Sequence, residues 1–289
     1  MVVQSAARII GIGFLSSLAL AGESAIVADE EMAKQRRALE MSAKEQGAGP
    51  QSPRDIDIKF GRNEKLFVNA PAVNEMNLCN IHFHKNAEHK GGEFTRYAGN
   101  GDGKGYQTGY LYAGQLNQAE LMPLKGDAVC KSKYSEVLPG DTIELHYVYS
   151  TGQVEPGPTL GACINKEEAT PKLRVESLVF VAVNDRNALD FRDMTSHQVR
   201  NGFYQATDIP NNTGQSVTYV GSTTGPSYNE KVSPFEVTWN VRPKVAKVNI
   251  QSMGAWCDSQ NVYQEDHAHG VRNLVTNPDL LSEISVMSK

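Results

Sequence analysis

The chain has no excess of positive charge: 28 Lys and Arg stand against 33 Asp and Glu, a formal net charge of -5. That balance gives no basic field for the phosphate backbone of a nucleic acid, so nucleic-acid binding is set aside. The chain also lacks an apolar run of the roughly 20 residues that a membrane-spanning helix needs. Its longest apolar stretch, Ile9 to Leu20, is well short of that. None of the four cysteines forms a Cys-x-x-Cys pair, which argues against a thiolate zinc site and against a thioredoxin-like redox motif. No internal repeat is visible, and no histidine precedes His82.

The stretch that cannot span a bilayer fits an export signal. Arg8 precedes it, and Ala19-Leu20-Ala21 offers small residues for cleavage. Residues 1–21 are therefore expected to be a signal peptide and the protein periplasmic or secreted, without stable membrane insertion after cleavage. Cys79, Cys130, Cys163 and Cys257 would then form two disulfides in an oxidising compartment, although four cysteines allow three pairings. Residues 22–50 are rich in Glu, Lys, Arg and Ala and read as a charged, solvated helix or flexible segment, with Glu30/Lys34 and Glu40/Lys44 one turn apart. Gly47-Ala48-Gly49-Pro50 ends it, and the folded domain is placed at 51–289.

Within that domain, β-type runs are punctuated by Gly, Pro, Asn and Asp: Leu78 to His84, Thr142 to Ser150, Arg174 to Val183, Ser216 to Gly221, Phe235 to Val241 and Lys244 to Gln251. Long amphipathic helices are absent from it. The expected fold is mainly β (α+β), one domain around a large, mostly antiparallel twisted sheet with short peripheral helices.

Two histidines alternate in Asn80-Ile81-His82-Phe83-His84, and a third stands in Glu144-Leu145-His146. Alternate residues of a strand share a face, so His82 and His84 aim together, and His146 joins them if the two strands are neighbours. Three neutral imidazoles with one open position are the ligand set of a catalytic zinc ion. Asn80 and Glu144, each two residues before a histidine, are placed to orient His82 and His146.

With Gln51-Ser52-Pro53-Arg54-Asp55-Ile56, Gly92-Glu93-Phe94-Thr95, Gly221-Ser222-Thr223-Thr224-Gly225-Pro226 and Val237-Thr238-Trp239, these segments follow the motif order of alpha-type carbonic anhydrases. The block from Asn77 to Phe94 resembles the delta-class and bacterial carbonic-anhydrase-like proteins. The resemblance covers residues 51 to about 275. It implies one zinc ion on His82, His84 and His146, with carbon dioxide and bicarbonate as substrate and product. It also implies a catalytic Thr224 paired with Glu93, and a substrate pocket walled by Val148, Trp239 and, more loosely, Val179.

Four departures from the pattern matter. Thr223 competes with Thr224, which is favoured by its spacing from Tyr219. Glu88 competes with Glu93, and Glu93 is favoured by the glycine before it. The proton-shuttle histidine of the alpha pattern has no counterpart, leaving His89 on the polar turn as a candidate. Asp266-His267-Ala268-His269 reads as a polar loop with exposed histidines, the alternative being a rim to the site. Rival functions are a cupin-type metalloenzyme, in which Glu88 would be a ligand, and a non-catalytic carbonic-anhydrase-like binding domain. Protein partners are not legible.

Overall fold

The computed structural model describes residues 26–126, 128–165, 170–223, 229–233 and 235–285. The expected signal peptide and Thr224 lie outside the described residues. Strands β1 (Asn77–Lys85), β2 (Phe94–Asn100), β3 (Thr108–Tyr112), β4 (Thr142–Ser150) and β5 (Leu173–Val183) are followed by β6 (His197–Arg200) and β7 (Phe203–Ala206). The last three are β8 (Val217–Gly221), β9 (Val237–Val241) and β10 (Ala246–Asn249). Helices are α1 (Asp29–Gln46), α2 (Phe191–Met194) and α3 (Ile250–Cys257). The fold is mainly β, as the punctuated runs imply.

The main sheet has the order β1-β4-β5-β9-β8, with β10 also on β5. It is mixed: β1/β4, β4/β5 and β8/β9 are antiparallel, whereas β9 and β10 run parallel to β5. Alternation divides its side chains between two cores. Ile81, Phe83, Leu145, Tyr147, Leu178 and Phe180 pack on one side. Val148, Val175, Val179, Val237 and Trp239 pack on the other, beside the histidines. Cys79 departs from simple alternation, because the register slips between Leu78 and Asn80. This irregularity places Cys79 in the second core, where it bonds Cys163. Cys130 bonds Cys257, which settles the pairing.

Two segments differ from the sequence expectation. The run Lys244 to Gln251 stops being a strand at Asn249, whose Oδ1 accepts the Gln251 amide at 3.0 Å and caps α3. The β-branched residues Val248 and Ile250 conceal that cap. Helix α1 is formed and ends at Gly47 in the left-handed region, but it is not solvated all round. Met32, Gln35, Leu39 and Ala43 make a buried stripe, and Leu39 and Ala43 pack on Val275, Leu280 and Leu281. Lys34 pairs with Glu31.

Candidate metal centre

Strands β1 and β4 are neighbours, and His82 lies directly opposite His146 in their register. Side chains directly opposite each other share a face. With His84 two residues along β1, three imidazoles therefore meet. Their inward nitrogens all lie within 4.8 Å of one another.

Hydrogen bonds to the outer nitrogens fix which nitrogen faces inward. Asn80 Nδ2 donates to the Gly157 carbonyl at 3.0 Å, so its Oδ1 is turned to accept His82 Nδ1–H at 2.6 Å. His84 Nδ1 donates to the Gly270 carbonyl at 2.8 Å, and His146 Nε2 to Glu144 Oε1 at 2.8 Å. Each ring thus turns a lone pair inward: Nε2 of His82 and His84, Nδ1 of His146. His82 Nε2 and His146 Nδ1 are 3.3 Å apart. Two lone pairs so close could hold a cation between them.

The charge states agree. Burial holds His82 well below the ordinary histidine range, and the neighbouring histidines push it the same way. Burial brings His84 down to about 4 and also lowers His146. All three rings are neutral at pH 7, the form that binds metal. The set fits zinc: three nitrogen donors, fixed tautomers and one side facing a cavity of about 300 Å³.

Glu144 is fully buried and crowded with donors. Its Oε1 accepts from His146, His89 and Ser177 Oγ, and its Oε2 from the backbone amides of Glu88 and His89. Burial alone would raise its pKa, but the histidines and these bonds hold it well below the carboxylate range. His89, Glu144 and His146 are also close enough together to be considered as a metal triad. The facing ring nitrogens there are donors already bonded to carboxylate oxygen, so the cluster is a hydrogen-bond network.

Several expectations from sequence are relocated. Glu93 is exposed, with its Oε2 accepting the Val245 amide at 2.9 Å, and it is not brought to the histidines. Glu88 is. It lines the cavity, its Oε2 is 3.9 Å from His84 Nε2, and its Oε1 accepts the Arg272 amide at 2.7 Å. Burial raises its pKa, so it gives up its proton less readily than an exposed glutamate. The turn decides the matter: positive φ at Asn86, Gly91 and Gly92 curls the chain so that Glu88 points in and Glu93 points away.

His89 is not a surface histidine. It is fully buried, bridging Glu144 Oε1 and Tyr219 Oη at 2.7 Å each. Val148, Val179 and Trp239 are buried in the second core, where the Trp239 ring lies 5.0 Å from that of His146 and its Nε1 donates to the Ser222 carbonyl. Thr223 lines the cavity, together with Thr159, Leu160 and Gly161.

His269 is brought to the rim, the alternative that sequence reading held second. Its segment runs parallel to the end of β1, with His269 N bonded to the Phe83 carbonyl and its own carbonyl to Lys85 N. Its ring lies 5.6 Å from that of His82, and its Nε2 bonds Glu265 Oε2 at 2.6 Å. Burial opposes its charge, but Glu265 outweighs this and raises its pKa. The His-x-His spacing at 267 and 269 was the available signal, while its return to β1 from far along the chain was not legible.

No curated protein matches the chain. Among solved structures, an alpha-carbonic anhydrase from Thermovibrio ammonificans, in complex with the inhibitor sulfanilamide, aligns at 14% identity and a TM-score of 0.30. The alignment covers 78% of this chain and 84% of that one. The family model described as delta carbonic anhydrase matches residues 73–252, well over half of the chain. The chain belongs to the delta carbonic anhydrase family.

Proposed function

We propose that the protein is an exported carbonic anhydrase that hydrates carbon dioxide reversibly with one zinc ion on His82 Nε2, His84 Nε2 and His146 Nδ1. The observation that carries the proposal is the convergence of three neutral imidazoles whose outer nitrogens are already bonded. Zinc held there would supply the Lewis acidity that makes water a nucleophile near neutral pH.

The chain's own groups do the rest. Glu144 and Asn80 hold the two facing rings. Glu88, which lines the cavity beside His84, takes the carboxylate role first given to Glu93: it accepts the hydroxyl proton of the catalytic threonine, leaving that oxygen free to accept from the nucleophile and orient its lone pair. Val148, Val179 and Trp239 form the apolar backing behind His146, which favours an uncharged substrate over a hydrated anion. His269, partly exposed and bonded to Glu265, passes the released proton to solvent in place of His89.

Export is supported by the two disulfides, which persist in oxidising compartments. Among the described residues no helix is long and apolar enough to cross a membrane. The test is zinc stoichiometry and stopped-flow carbon dioxide hydration on the same preparation. One zinc per chain with turnover well above background is expected, lost in His146→Ala. Background rates from fully zinc-loaded protein would refute the enzyme and leave a binding domain.

A further inference from the structure

A second cavity, of about 590 Å³, lies between α1 and the body of the domain. That is a usual size for a small-molecule site. Met32 of α1, Ile58, Phe60, Leu274 and Leu281 give it apolar walls, and Tyr97 and Tyr110 add aromatic edges. Ile58 and Phe60 are more than half exposed, which is unusual for apolar side chains lining one pocket.

The charged groups on its wall are unevenly satisfied. Lys90 Nζ pairs with Asp55 Oδ2 at 2.7 Å. Asp29 Oδ1 accepts from Asn100 Nδ2 at 2.8 Å and sits in the first turn of α1, where the helix amides offset its charge. Arg36 has nothing equivalent. Among the described residues it makes no ion pair, and its buried Nε has no hydrogen-bond partner. A buried donor left unmade costs free energy, and a planar guanidinium is shaped to take a carboxylate on two parallel N–H bonds.

We infer that this cavity binds an amphipathic monocarboxylate, its alkyl tail among Met32, Ile58, Phe60 and Leu281 and its carboxylate on Arg36. The cavity shares no lining residue with the one at the histidines. It therefore stands or falls independently of the proposed activity.

Decanoate is the probe, titrated calorimetrically into the full chain, with decanol as its uncharged counterpart. Saturable binding of one decanoate is expected, tighter than decanol. Arg36→Met should weaken decanoate by about tenfold or more, the scale of one lost charge-assisted pair, and leave decanol unchanged. Arg37→Met, at an exposed neighbour on α1, should change neither. Because Arg36 makes no hydrogen bond or ion pair among the described residues, its variant should keep the parent's melting temperature. Leu281→Trp, which fills the cavity, should abolish binding of both probes. Absence of saturable binding would overturn the inference. Equal affinity for decanoate and decanol, or an Arg36→Met variant that binds decanoate as the parent does, would overturn it as well.

Discussion

The backbone amide of Glu88 donates to Glu144 Oε2 at 2.6 Å, so the carboxylate that orients His146 also pins the turn presenting Glu88 to the cavity. One side chain thus governs a proposed metal ligand and the proposed catalytic acceptor together. Glu144→Gln puts an amide N–H₂ among groups that all donate. We expect zinc affinity to fall by about 10- to 100-fold. The metal-free protein should lose about 2–4 kcal/mol, since buried donors are left unpaired. Chelator competition and urea unfolding measure the two effects, and a variant that binds zinc normally would show that Glu144 is not the orienting group.

Glu88 and Glu93 separate cleanly by substitution. Glu88→Gln should lower kcat by about 100-fold, the usual worth of a positioned proton acceptor, with zinc content kept. Glu93→Gln, which alters an exposed side chain bonded to Val245 N, should stay within about twofold of the parent and within about 0.5 kcal/mol in stability. The opposite ranking in stopped-flow assays would return the role to Glu93.

Low pH should unfold the metal-free protein through its histidines. His84 is brought from the model-peptide value of 6.5 down to about 4, so the unfolded chain binds a proton that the folded chain refuses. Stability is then complete above about pH 6.5 and is lost as pH falls toward about 4, with His82 and His146 adding in the same direction. In His84→Asn the melting temperature should fall less over that interval. Equal pH slopes for parent and variant would mean that His84 titrates normally.

The Cys79–Cys163 disulfide ties the cavity wall to β1, because the short helical turn Leu160–Cys163 carries Leu160 and Gly161 into the lining. Cys163→Ser should cost about 2–5 kcal/mol. It should also raise KM more than it lowers kcat, since the wall loosens while the ligands stay in place. Unchanged KM with unchanged melting would show that the wall holds without the bond.

What could be read in advance was what strand period carries. Asn80, His82 and His84 follow one another at a spacing of two, and Glu144 and His146 repeat that spacing, so the histidine cluster and the two side chains bonded to it were legible before any fold was known. Residues placed by turns were not. Glu88 and Glu93 are both acids beside glycines in one short polar segment, and only the backbone angles at Asn86, Gly91 and Gly92 decide between them. His89 reads as surface by composition, yet the carboxylate and the tyrosine that bury it come from β4 and β8. Likewise, Cys79 is assigned to the wrong side by strict alternation, because the slip between Leu78 and Asn80 leaves no mark in residue type.

The Gly270 carbonyl, which sets the tautomer of His84, lies 186 residues beyond it in the chain. A growing polypeptide therefore carries all three candidate ligand histidines long before the acceptor that aims the middle one exists. Selection of an ion by the proposed site would be deferred until synthesis has passed that glycine and the segment has returned to β1. A protein completed before it folds, as one threaded through a membrane must be, would meet its metal only on the far side.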